Sequence, residues 1–175
     1  MKTTKGIVAE VFGAMQSVNE TIEELEGKFI RKESSERPLV NRKFTYAIDK
    51  NLGIVSKLIE ELIPKQAYPK IQEYQMKWGA DREKLINEHA KKDEEGKVIL
   101  NEGNQADVPD EIKGMLVEMD KDYGEIITDL DTTWKNILAE EVEIDFYNFD
   151  EDKLPEYLMQ KDYNVLKILF KEIEG

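Results

Sequence analysis

A chain of 175 residues with 40% hydrophobic side chains is long enough for one folded domain around a hydrophobic core. Cysteine is absent and histidine occurs once, which excludes disulfides, thiolate nucleophiles and metal sites built from cysteine or from several histidines. The net charge of −13 lies entirely in the segment 107–156, which contains 17 acidic residues and four lysines. Because like charges repel, direct binding of that segment to a nucleic-acid backbone is unfavourable.

The first predicted helix covers residues 7–29 and carries an apolar stripe in alternating steps of three and four residues. The stripe consists of Val8, Val11, Met15, Val18, Ile22, Leu25 and Phe29. This heptad-like pattern is typical of helices that pack in a coiled coil, either against their own chain or against a second copy in a homo-oligomer. Because a charged stretch, 31–37, and Pro38 follow, we predict an N-terminal segment of residues 1–37 and a main domain of residues 38–175.

Two further helices are predicted on either side of a proline-rich break. The second helix begins near Asn41, and its apolar stripe consists of Phe44, Ile48, Leu52, Val55, Ile59 and Leu62. Pro64 and Pro69 then interrupt, and since proline costs a helix interior about 3 kcal/mol, we expect a break there. The third helix follows over residues 70–91.

The stretch after the third helix predicts a turn and a short strand. Five charged residues, 91–95, precede Gly96, which can adopt the positive φ that closes a turn. The apolar trio Val98–Leu100 then reads as a strand, and its best partner is the alternating segment Val142–Phe146. Between them a long fourth helix runs to about Ala139, and a last helix begins at Asp162. The fold class is therefore mainly α (α+β): a long antiparallel helical hairpin, a small two-stranded antiparallel β element and an extra N-terminal helix.

The acidic segment is the strongest candidate for a binding surface, since the concentration of the negative charge in one segment indicates a negative face there. The partner-binding face that we predict consists of Glu118, Asp122, Glu125, Asp129, Glu140, Glu141 and Glu143. The expected partner is a protein. Direct contact with nucleic acid is not expected because like charges repel, and contact with a membrane is not expected because no stretch approaches the roughly 20 apolar residues of a membrane span.

Spacings typical of metal and catalytic sites do not occur in this sequence. A helical di-metal site needs Glu-x-x-His, but the residue three before His89 is Ile86. The triplet Asn148, Asp150 and Asp152 imitates the start of a calcium loop, yet the later glycine and glutamate that such a loop needs are missing. We therefore predict no catalytic residue, no metal and no cofactor.

From about Val40 to Ile173 the order of short motifs resembles a group of small uncharacterised proteins encoded by tailed bacteriophages and prophages of Gram-positive bacteria. The motifs are Lys43-Phe44-x-Tyr46-x-Ile48-x-Lys50-Asn51, Arg82-x-x-Leu85-Ile86, Lys92-Asp93-Glu94-Glu95-Gly96-Lys97, Glu140-Glu141-Val142-Glu143-Ile144 and Asp162 before the last helix. The first forty residues and the Pro64–Pro69 interruption depart from that group. The resemblance implies a phage accessory protein without an assigned reaction.

These observations predict a non-enzymatic phage protein that acts by protein–protein binding in virion assembly or structure. We expect it in the host cytoplasm or in the virion. One alternative is an inhibitor of a host defence protein whose acidic face mimics nucleic acid. The other is a metal-dependent nucleotide hydrolase that uses the clustered carboxylates.

Overall fold

The computed structural model describes residues 1–29, 42–150 and 154–170, and these ranges confirm a mainly α fold with a small two-stranded antiparallel sheet. The described helices and strands, in chain order, are β1 Lys2–Thr4, α1 Lys5–Phe29, α2 Arg42–Leu62, α3 Tyr68–His89, α4 Asp110–Ala139, β2 Glu141–Glu143 and α5 Gln160–Leu166. A short 3-10 turn, Ile63–Lys65, stands at the predicted proline break.

The chain divides into two compact units: Met1–Lys65 together with Asn136–Gly175, and Gln66–Lys135. The predicted boundary between residues 37 and 38 lies outside the described residues, and the division of the chain into residues 1–37 and 38–175 stays a prediction.

The core of the first unit forms where α1 packs against α2 and α5. Burial follows the predicted stripes, because residues on one helix face lose their water when that face meets a neighbour. The buried members of the two predicted stripes on α1 and α2 are Val8, Val11, Met15, Val18, Ile22, Phe44, Ile48, Val55, Ile59 and Leu62. The stripe of α1 thus packs within its own chain, as far as its side chains are described.

The sheet contradicts the predicted strand pairing. Strand β2 pairs with β1, with Lys2 opposite Glu143, Thr3 opposite Val142 and Thr4 opposite Glu141. The trio Val98–Leu100 instead forms bridges within its own loop, from Val98 to Lys92 and from Leu100 to Ala106. The prediction was wrong because two tight turns near the trio supply its hydrogen bonds locally.

In the second unit, α3 and α4 form the predicted antiparallel hairpin, joined by residues 90–109. The buried cluster at the closed end of the hairpin is small and consists of Ala90, Val108, Ile112 and Leu116. Two side-chain oxygens shape the loop: that of Asp93 accepts the N–H groups of Glu95 and Lys97, and that of Asn101 accepts those of Gly103 and Gln105. Gly96 has φ +80°, which confirms the predicted turn.

Candidate interaction surface

Side chains of α3 and α4 connect the two helices through a polar and aromatic clamp. The Trp78 indole N–H donates to Asp120 Oδ1 over 2.8 Å, and the Arg82 guanidinium contacts both Asp120 oxygens at 3.1 and 3.0 Å. The same guanidinium lies 6.0 Å from the centre of the Trp78 ring, within reach of a cation–π attraction. One carboxylate on α4 is therefore shared by two donors that are one helical turn apart on α3.

A second contact fixes the rotation of α4 about its axis. The Tyr123 hydroxyl donates to Asp81 Oδ2 over 2.5 Å, and its ring packs edge-on against Tyr74 at 6.4 Å between ring centres. This hydrogen bond raises the pKa of Tyr123 to about 12, because ionisation would remove the donated proton and place two anions together. The neutral phenol is thus favoured by folding, and that contribution is complete below the ordinary pKa of 10 and is lost as the pH rises through 12.

The clamp leaves an acidic stripe, Glu118, Asp122, Glu125 and Asp129, on the opposite side of α4. Their spacings of four, three and four residues place the four side chains within roughly 60° of arc and along about 17 Å of helix. All four are exposed. Asp120 and Tyr123 point toward α3, so the stripe points away from it, as the helical period requires.

Few cations offset the charge of this stripe. Lys121 lies 3.7 Å from Glu125, an exposed pair one turn apart that contributes little to stability. Within the ranges that the structure covers, Glu118, Asp122 and Asp129 have no ion-pair partner. Three negative charges therefore face solvent on one helix face.

Exposed apolar side chains adjoin the acidic stripe. Met115 and Ile126 lie on the same side of α4 as Asp122, within about 40° of it around the helix. Their exposed fractions are 47% and 38%. Apolar surface rimmed by polar residues is a feature of protein-binding sites, and Met115 and Ile126 supply exposed apolar groups beside the charged stripe.

The remaining three residues of the predicted face, Glu140, Glu141 and Glu143, lie at strand β2 in the first unit. Glu140 forms an ion pair with Lys5, which lowers the pKa of Glu140 through a hydrogen bond and through charge attraction. Glu141 and Glu143 are exposed on the sheet, and Lys2 lies across the ladder from Glu143. Only part of the predicted set therefore belongs to the stripe on α4.

Sequence reasoning missed the clamp, although its residues carry a readable signal. Trp78 and Arg82 are separated by four residues, and Asp120 and Tyr123 by three, which are the spacings of neighbours on a helix face. Trp78 and Arg82 offer hydrogen-bond donors on one helix, and Asp120 offers an acceptor beside Tyr123 on the next. Where apolar residues are sparse, such a set indicates a polar contact between the helices. His89 is exposed at the last turn of α3.

Two kinds of feature are absent from the residues that the structure describes. In the described ranges, no three His, Cys, Asp or Glu side chains come together as metal ligands would. Likewise, none of the helices described is both long enough and apolar enough to cross a lipid bilayer. Asp152 of the calcium-loop imitation lies outside the described residues.

Comparison of the chain with protein-family models, with curated proteins and with solved structures found no match.

Proposed function

We propose that this chain is a non-enzymatic phage accessory protein that binds another protein through the exposed stripe of α4, in virion assembly or virion structure. The observation that carries the proposal is the combination, on one helix face, of three carboxylates without cationic partners among the described residues and two exposed apolar side chains. Exposed apolar groups next to charges supply burial and orientation together, which is what a specific protein contact requires.

The density of charge favours a protein partner over mimicry of nucleic acid. The four carboxylates of the stripe are about 5.5 Å apart along the helix axis. Duplex DNA carries one charge per roughly 1.7 Å of its axis. The stripe is thus about three times sparser, and the apolar Met115 and Ile126 beside it have no counterpart in a phosphate backbone.

The test is a pull-down from phage-infected host lysate, with mass spectrometry of the captured proteins and of purified virions. The test variant neutralises the stripe by the changes Glu118→Gln, Asp122→Asn, Glu125→Gln and Asp129→Asn. A matched control neutralises four exposed carboxylates elsewhere, Glu10, Glu20, Glu60 and Glu73, each to glutamine. We expect the unchanged chain and the control variant to capture the same phage structural protein and the stripe variant to lose it.

Raising the salt concentration separates the two kinds of partner. Charges at an exposed surface are screened beyond roughly 10 Å at 0.1 M salt and beyond about 3 Å at 1 M. A partner held by burial of Met115 and Ile126 as well as by charge should remain bound at 0.5 M salt at reduced affinity. Capture of a host nucleic-acid-binding protein that DNA displaces and salt removes would favour the inhibitor instead, and equal capture by all three chains would contradict the proposal.

A further inference from the structure

In the part of the chain that the structure describes, strand β2 has one edge paired with β1 and one open edge. The N–H of Ile144 donates to the carbonyl of Met1 over 3.0 Å, and the N–H of Lys5 donates to the carbonyl of Glu140 over 3.0 Å. In an antiparallel ladder the residues that bond across to the partner alternate, so Glu140, Val142 and Ile144 face β1. The backbone groups of Glu141, Glu143 and Asp145 therefore point away from β1. Outside the β1–β2 ladder, no described backbone group forms a hydrogen bond with them.

A groove runs beside this open edge. It has a volume of about 640 Å³ and is bounded on one side by residues 142–145 and on the other by α2. Ile54 and Leu58 of α2 form its apolar wall, with Ile54 exposed to 37%. An extended chain that added to the edge would place every second side chain against this wall, because side chains alternate across a strand.

The charges at the groove are mostly negative. Glu61, Glu143 and Asp145 line it together with a single cation, Lys57. Glu141, Glu143 and Asp145 share the solvent face of the strand, so residues of an added strand directly opposite them would be most favourable if basic. The natural neighbour β1 follows this rule, because Lys2 lies opposite Glu143 and the buried Thr3 lies opposite Val142.

From this geometry we infer that the open edge of β2 binds an extended segment of a partner protein in which lysine or arginine alternates with apolar residues, added antiparallel as a third strand. Backbone hydrogen bonds to Glu141, Glu143 and Asp145 supply affinity, and the alternating side chains supply specificity. A second copy of the same edge is a poor occupant, since it would set like charges opposite one another. The site uses residues other than the α4 stripe, so it stands or falls independently of the proposed function.

The first experiment measures binding of a fluorescein-labelled peptide, Thr-Lys-Val-Lys-Val-Lys-Thr, by fluorescence anisotropy. In the antiparallel arrangement the lysine N–H groups point at β2 and the valine N–H groups point away. Methylation of the lysine backbone nitrogens should weaken binding about tenfold or more, because the hydrogen bonds from these nitrogens to β2 are lost. Methylation of the valine nitrogens is the matched control and should leave the affinity within about twofold.

The second experiment changes the protein at one position. Glu143→Gln removes the charge and keeps the N–H, whereas Glu143→Pro also removes the N–H, which proline at an open edge permits without loss of the ladder. We expect a loss of about threefold for the glutamine variant and a further three- to tenfold for the proline variant. Glu10→Gln, an exposed change on α1, should bind like the unchanged protein.

Three results would contradict the inferred binding of a basic strand at the edge of β2. Equal loss from lysine and valine methylation, equal binding by the two Glu143 variants, or tight binding of a peptide with glutamate in place of lysine would each overturn the inference. A concentration-dependent dimer that Glu143→Pro converts to monomer would assign the edge to a second copy instead. If circular dichroism shows that the proline variant is unfolded, the methylated peptides still test the inference, because they leave the protein unchanged.

Discussion

Asn51 joins α2 to the segment after β2 through hydrogen bonds of its side-chain amide. Its side chain is fully buried, and its amide donates to the Tyr147 carbonyl over 2.9 Å while its oxygen accepts the Tyr147 N–H over 2.7 Å. The side-chain amide thus completes two backbone hydrogen bonds, as a neighbouring strand would. A side-chain amide supplies a donor and an acceptor from one position.

We expect Asn51→Leu to lower the free energy of unfolding by roughly 2–3 kcal/mol, because it leaves the N–H and the carbonyl of Tyr147 without partners. The free energy is measured by urea denaturation followed by circular dichroism. Asn87→Leu, on the exposed surface of α3, is the control and should change stability by no more than about 0.5 kcal/mol. Equal stability of the two variants would show that water replaces the lost bonds.

Burial of Asn51 could not be predicted from periodicity, although its position could be noticed. It lies three residues after Ile48 and four before Val55, both of which are buried, so it occupies a place on the apolar face of α2. A polar residue at such a place indicates a specific partner, since its burial without one is unfavourable. The partner, Tyr147, is 96 positions away, and the sequence contains no signal for that pairing.

At the scale of elements, the loop between α3 and α4 shows why helices were predicted more accurately than strands. A helix has its hydrogen bonds inside one segment, so the pattern of that segment suffices. A strand needs a partner, and the polar segment Lys2–Thr4 gave no apolar alternation to mark it as the partner of β2. The apolar trio Val98–Leu100 was the better match by pattern, but the turns at Asp93 and Asn101 kept it local.

Replacing two glycines of the second unit by alanine should change the stability of the protein in opposite directions. Gly96 has φ +80° and allows the first turn of the loop, so Gly96→Ala should destabilise the protein by about 1 kcal/mol. Gly114 lies inside α4 with open space where a Cβ would be, so Gly114→Ala should stabilise it by up to about 1 kcal/mol. Both shifts are read from the midpoint of urea denaturation. A gain in stability from both changes would mean that the turn at Gly96 tolerates an ordinary side chain.

At the scale of the whole chain, composition and period were enough for the mainly α class and for the exposed face of α4, because both follow from one-dimensional patterns. The unequal burial of the helices was not predicted. Helix α2 buries seven residues, among them Phe44, Val55 and Leu62, whereas α3 buries none and meets α4 through the clamp. Ile71, Tyr74, Trp78 and Leu85 of α3 are half-buried rather than buried.

Unequal burial should produce unequal opening of the backbone. Amide hydrogens exchange when a helix opens, and the free energy of opening rises with the apolar contacts that opening breaks. We therefore expect hydrogen–deuterium exchange with mass spectrometry to find the amides of α3 exchanging at least about tenfold faster than those of α2. The clamp contributes to the protection of α3. Trp78→Phe removes the donor to Asp120 and keeps an aromatic ring, so it should accelerate exchange in α3 and leave α2 unchanged. Equal protection of the two helices would mean that the polar and aromatic contacts of α3 stabilise it as well as a buried apolar face stabilises α2.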